Sequence, residues 1–92
     1  KTVNNMKKIW IVRERLDWHN TDPHDATIAY STKELAVAGF IERIEDVKKY
    51  FRENDYELFD DMTKIESDYG RMTTKRDDWY SCWIEEIDMF NE

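Results

Sequence analysis

His19, Asp22, His24 and Asp25 set four metal-ligand types within seven residues. Imidazole with carboxylate suits zinc or another first-row ion. Their spacing matches no established metal motif, and the turn formers Asn20, Thr21 and Pro23 among them explain the stretch as a polar hairpin loop without metal. The single thiol, Cys82, stands beside Tyr80, Trp83 and Ile84 with no Lys, Arg or His close in sequence. Apolar surroundings raise a thiol's pKa, so Cys82 reads as a small core residue and not a nucleophile. The adjacent acids Asp60/Asp61 and Glu85/Glu86 can in principle share acid and base work. Adjacent acids are also common on solvated surfaces, and no Gly-rich loop is present to hold a phosphate. No catalytic residue, cofactor or metal is therefore assigned.

Charge distribution is more telling. Residues 1–52 hold ten Lys/Arg against eight Asp/Glu, while residues 53–92 hold four against thirteen. The halves carry +2 and −9, which sum to the formal net charge of −7. Like charge in one block costs self-repulsion in the compact state, so a small domain that keeps it often uses it to attract or exclude a partner. Glu53, Asp55, Glu57, Asp60, Asp61, Glu66 and Asp68 are the densest part of it. An array of outward carboxylates on a rigid scaffold can compete with the phosphates of a nucleic acid, which recur about every 3.4 Å along each strand.

The scaffold that must carry these acids reads as one α+β domain over residues 6–92, with Lys1–Asn5 an upstream extension or an expression remnant. Thirteen aromatics can furnish its core, each worth ~2 to 3 kcal/mol when fully buried. From Met6 to Leu16, β-branched and aromatic residues predict a strand with Ile9 and Ile11 on one face and Trp10, Val12 and Leu16 on the other. A loop over 17–25 and a strand over Ala26–Tyr30 close a hairpin. Ser31-Thr32-Lys33-Glu34 matches a capping box, opening a helix to about Arg52 with Val37, Phe40, Ile41, Ile44, Val47 and Phe51 on one stripe. Leu58, Phe59, Met62, Ile65 and Tyr69 fit helical steps, predicting a second helix over 56–69 with Gly70 as its C-terminal cap. Arg71–Arg76 reads as a polar connection. Residues 79–90 fit either a strand or a helix capped by Asp77; a two-stranded ribbon needs a third strand for stability, which favours strand. The expected architecture is thus a three-stranded antiparallel sheet of β-β-α-(α)-β order with the amphipathic helix across one face.

That order, with a Lys-Lys-Ile-Trp-Ile-Val opening, a Ser-Thr-Lys-Glu-Leu-Ala helix start and a closing Trp-Ile-Glu-Glu-Ile strand, resembles a recurrent type of small phage and bacterial accessory protein. The resemblance spans residues 6–52 and 79–90 and carries no functional residue. It implies an accessory protein of a mobile element and no activity. One cysteine excludes an intramolecular disulfide, and no apolar run suits a signal peptide or a membrane span, so a cytoplasmic protein, in the host cell if phage-encoded, is expected.

The expected function is a non-enzymatic inhibitor of the anti-CRISPR or anti-restriction kind, a DNA mimic bound to a basic surface of a nucleic-acid-handling complex. The seven acids would make the contact, with Trp18, Tyr56 and Tyr69 as aromatic anchors. Direct nucleic-acid binding is disfavoured by the net charge unless Lys7, Lys8, Arg13 and Arg15 form a separate basic patch. The rivals are an immunity or antitoxin partner of a basic toxin, a homodimer joined through the apolar C-terminal segment, and a metal enzyme using His19 and His24.

Overall fold

The computed structural model describes residues 6–18 and 22–90. Lys1–Asn5, and His19 within the metal-ligand stretch, lie outside them. Alternation over the first segment produces strand β1, Met6–Asp17, and Pro23 sits just before β2, His24–Tyr30, which pairs antiparallel with β1 from Trp10↔Tyr30 to Leu16↔His24. Helix α1, Lys33–Glu53, follows. Its N-cap is Thr32, one residue after the expected Ser31, and the Thr32 hydroxyl accepts from the Leu35 N–H at 3.2 Å.

The C-terminal end of α1 closes with two reciprocal bonds. Tyr56 N–H donates to the Phe51 carbonyl at 2.8 Å and Asp55 N–H to the Arg52 carbonyl at 3.2 Å. With Asp55 in the left-handed region at φ 57° and the Tyr56 and Phe51 rings in contact, this is a Schellman end.

Beyond it, the structure departs from expectation. Residues 56–69 are not a helix: they hold a single 3₁₀ turn, Asp60–Met62, and the short strand β3, Lys64–Ile65. Gly70 is no helix cap but a buried residue of β4, Tyr69–Thr73, where an added Cβ would meet Ile44 Cδ1 at 2.5 Å. The expected polar connection over 71–76 is half strand, with Met72, Thr73 and Thr74 buried. The physical reason is non-local pairing: β4 gains a ladder on β5, Trp79–Phe90, and supplies Met72 to the core, which outweighs a chance helical spacing of apolar residues. Residues 79–90 form a strand, as the sheet requires.

The sheet therefore has five antiparallel strands, not three, in the order β2-β1-β5-β4-β3. The α+β class holds. β1 and β5 pair over their whole length, from Met6↔Phe90 to Asp17↔Trp79, as a central ribbon about 40 Å long.

Helix α1 packs on one face of the sheet. The core joins Ala36, Phe40, Ile44 and Phe51 from α1 to Val12, Met72, Tyr80 and Cys82 from the strands. Val37 and Val47 are half-buried, while Ile41, placed on the buried stripe by its spacing, is 53% exposed. No described helix is long and apolar enough to cross a membrane.

Candidate functional site

All seven acids of the expected contact surface are exposed, but they reach the surface from different elements. Glu53 ends α1, and Asp55 is the left-handed residue of the helix end. The remaining five lie along the outer margin of the sheet. Residues 57–66 run antiparallel beside β4 and on to Lys75: Lys75 N–H donates to the Glu57 carbonyl at 2.8 Å, Phe59 N–H to the Thr73 carbonyl at 2.9 Å, and Glu66 N–H to the Tyr69 carbonyl at 2.7 Å. Six residue steps, 69 to 75, make this margin about 20 Å long.

Within that margin the chain bulges. From the Phe59–Thr73 level to the Lys64–Arg71 level, five steps on one side face two on the other. The surplus residues form the 3₁₀ turn, which is held by Met62 N–H to the Phe59 carbonyl at 3.1 Å and the Thr63 hydroxyl to the same carbonyl at 2.8 Å. Asp60 and Asp61 occupy this turn. A bulge at a sheet edge both re-aims side chains and blocks further strand pairing.

Cations punctuate the array. Lys75 pairs with Glu57 at 3.0 Å, Lys64 with Glu66 at 3.4 Å and Lys49 with Glu53 at 4.0 Å, all well exposed. Exposed pairs of this kind contribute little and leave their carboxylates open to exchange. Asp60 and Asp61 have no ion-pair partner among the described residues. Glu57 and Asp60 share a surface cleft with Lys48, Arg52 and Lys75, so that end of the margin is mixed in sign. Over residues 58–70 the balance is four acids to one lysine.

The three aromatics expected to anchor a partner divide. Trp18 packs on Tyr50 and Phe51 with centroids 5.6 Å away in each case, and Tyr56 stacks on the same pair while the Arg76 guanidinium sits 4.1 Å from its ring centre. Both close the end of the core. Tyr69 stands instead on the uncovered face of the sheet, opposite Trp83, while Trp79, 45% exposed, lies on the same face at the other end of β4, opposite Thr73.

The other sequence candidates are dispersed by the fold. Strand alternation sends Glu85 and Glu86 to opposite faces: Glu85 pairs with Arg13 at 2.9 Å and Glu86 with Lys8 at 2.8 Å. A hydrogen bond from Trp83, with Arg13 close by, lowers the pKa of Glu85; Lys8 does the same for Glu86. The same alternation divides the four cations of the possible basic patch, since Arg13 and Arg15 share one face of β1 and Lys8 lies on the other. Asp25 pairs with Arg15 at 3.2 Å, and Asp22 and His24 are exposed. Among the described residues no three His, Cys, Asp or Glu are grouped to hold a metal ion. Cys82 is fully buried, and burial pushes its thiol up to about 11.

One charged cluster escaped the sequence reading. Glu14, on the helix-facing side of β1 between Val12 and Leu16, is 9% exposed. It accepts from the buried Tyr80 hydroxyl at 2.6 Å and pairs with Arg43 of α1. Burial and the bond to Glu14 raise the Tyr80 pKa. Burial opposes the charged Arg43 guanidinium, but its bonds to Glu14 and Tyr30 outweigh that and raise its pKa. The signal was an acid in phase with Trp10, Val12 and Leu16. The cluster has no exposed nucleophile, and its chemistry is that of a core tie between helix and sheet.

No protein-family model, curated protein or solved structure matches the chain.

Proposed function

We propose that this protein is a non-enzymatic acidic inhibitor that acts as an anionic decoy for a nucleic acid on a basic surface of its partner. The observation that carries the reading is the run from Glu57 to Asp68 laid along one margin of the sheet, with Asp60 and Asp61 exposed in the turn that the bulge forms. Carboxylates held on a ladder cost their partner no ordering of this chain, so attraction to Lys and Arg appears as affinity and as association rate.

Asp60, Asp61, Glu66 and Asp68, along the β3 margin, make the main contact; Glu57 at the mixed-sign end of that margin, and Glu53 and Asp55 at the end of α1, extend it. Tyr69 is the aromatic residue placed to join them, because Trp18 and Tyr56 are engaged in the core. The setting belongs to the same proposal: a phage-type anti-defence protein, directed at a CRISPR or restriction complex and acting in the host cytoplasm. That part rests on the resemblance of sequence pattern.

Reversing charge at Asp60 and Asp61 tests the reading. Both are exposed and lie outside the core, so the Asp60→Lys/Asp61→Lys protein should fold as the wild type and lose its basic partner. Unchanged affinity in that variant would reject the decoy.

A further inference from the structure

The sheet's two margins are treated very differently. The β3 margin is short, bulged and charged, all of which discourage pairing with another strand. The opposite margin, β2, is long and unbulged and carries a single acid. It runs seven residues, His24–Tyr30, all exposed except the half-buried Tyr30, and no bulge interrupts its register with β1. Pro23 falls just before it, there is no lysine in it, and its one acid, Asp25, is already paired with Arg15. Ala26-Thr27-Ile28-Ala29-Tyr30 is an uncharged run, with the strand formers Thr27, Ile28 and Tyr30, whose backbone is unpaired on one side among the described residues.

We infer that β2 is the docking edge for a second copy of this chain, pairing antiparallel with its own counterpart across a two-fold axis at Thr27. Self-complementarity selects this occupant. Centred at Thr27, the pairing sets Thr27 against Thr27, a favourable cross-strand pair, and Ile28, 37% exposed, against Ala26. Asp25 meets Ala29 and His24 meets Tyr30, so no like charges oppose each other; the two Asp25 residues stand about 13 Å apart along the strands.

The charge of −7 does not oppose this arrangement, because its densest part is at the far margin. Joining two five-stranded sheets edge to edge gives ten strands, and nine gaps of ~4.8 Å put the two acidic margins about 43 Å apart. Screening acts over about 8 Å at physiological salt, so the margins hardly repel. A single seven-residue ladder buries little surface, which places the dimer in the weak class of interfaces. The inference stands apart from the decoy reading, although a dimer would offer two acidic margins facing outward.

The test is light scattering coupled to size exclusion, from about 1 to about 300 μM, a span that brackets weak dimers. Wild-type protein should move from its 11.3 kDa monomer towards twice that mass as concentration rises. Thr27→Lys, which opposes two like charges at the axis, should stay monomeric with unchanged circular dichroism, while Thr27→Val should still dimerise. Thr27→Cys should oxidise to a disulfide-linked dimer, since the native Cys82 is buried and does not compete. A monomer throughout the range, or a dimer indifferent to Thr27→Lys, would overturn the inference. Partner capture is measured separately, so either proposal can fail without the other.

Discussion

Glu14 ties α1 to the sheet, and removing it should be among the most damaging single changes in the chain. In Glu14→Ala the Tyr80 hydroxyl, on a residue 1% exposed, loses its acceptor. A buried hydroxyl left unsatisfied costs about 1 to 3 kcal/mol. The Arg43 side chain, 24% exposed, can partly turn to water, so its lost pairing adds only about 1 kcal/mol after allowance for screening. The one lost methylene at a site this buried adds about 0.8 kcal/mol more. The sum is about 3 to 5 kcal/mol, against a total of about 5 to 14 kcal/mol for a chain of this length.

Urea unfolding followed by tryptophan fluorescence measures it. With a slope near 1 kcal/mol per molar for so small a domain, the midpoint should fall by about 3 to 5 M. Glu14→Gln keeps an acceptor for Tyr80 and should cost less than half as much. Glu14→Leu with Arg43→Met and Tyr80→Phe removes both charges and the buried hydroxyl that Glu14 satisfies, and should recover most of the loss, because an apolar set needs no solvation. A Glu14→Ala midpoint within about 0.5 M of wild type would refute the assignment of this cluster as a structural tie.

Two further outcomes follow from backbone strain and burial. Asp55 sits at φ 57°, where a side chain costs energy and glycine does not, so Asp55→Gly should stabilise by roughly 0.5 to 1 kcal/mol in the same urea assay. Cys82 is held protonated up to about 11 against an ordinary 9.0, and Tyr80 shifts the same way. The unfolded chain therefore gives up these protons first: the Cys82 contribution is fully present below about pH 9 and is lost as pH rises through about 11, and the Tyr80 contribution begins to fall only above its ordinary 10.0, which thermal melts from about pH 8 upward should record. Cys82→Ala should flatten part of that decline, and native Cys82 should resist thiol reagents near neutral pH.

Much of the fold was legible because its long elements carry their own periods. Met6–Leu16 alternates, Lys33–Glu53 repeats at three and four with a hydroxyl cap before it, and both were placed within a residue or two. The segment 56–73 was misread for the converse reason. Its strands are two and five residues long, too short to show a period, and Leu58, Met62, Ile65 and Tyr69 fell at helical intervals by chance. Only the distant β5 ladder makes them strands. Residues 79–90 were ambiguous by pattern and were decided by what a sheet needs.

At the candidate site, linear density located the acids but not their arrangement. Asp55 proved to be a helix-end residue, and Trp18 and Tyr56 fell into the aromatic end of the core. The bulge at Asp60 and Asp61 depends on a two-against-five mismatch that no local sequence feature announces.

The central claim, an anionic decoy carried on the β3 margin, is tested most directly by affinity capture from host lysate. Tagged wild-type and Asp60→Lys/Asp61→Lys proteins are compared at low and at high salt, with bound proteins identified by mass spectrometry. A basic nucleic-acid-binding protein should be retained by the wild type at low salt, released at high salt and absent from the variant. Equal capture by the variant, or no basic partner at either salt, would contradict the account and leave these acids with solubility as their role.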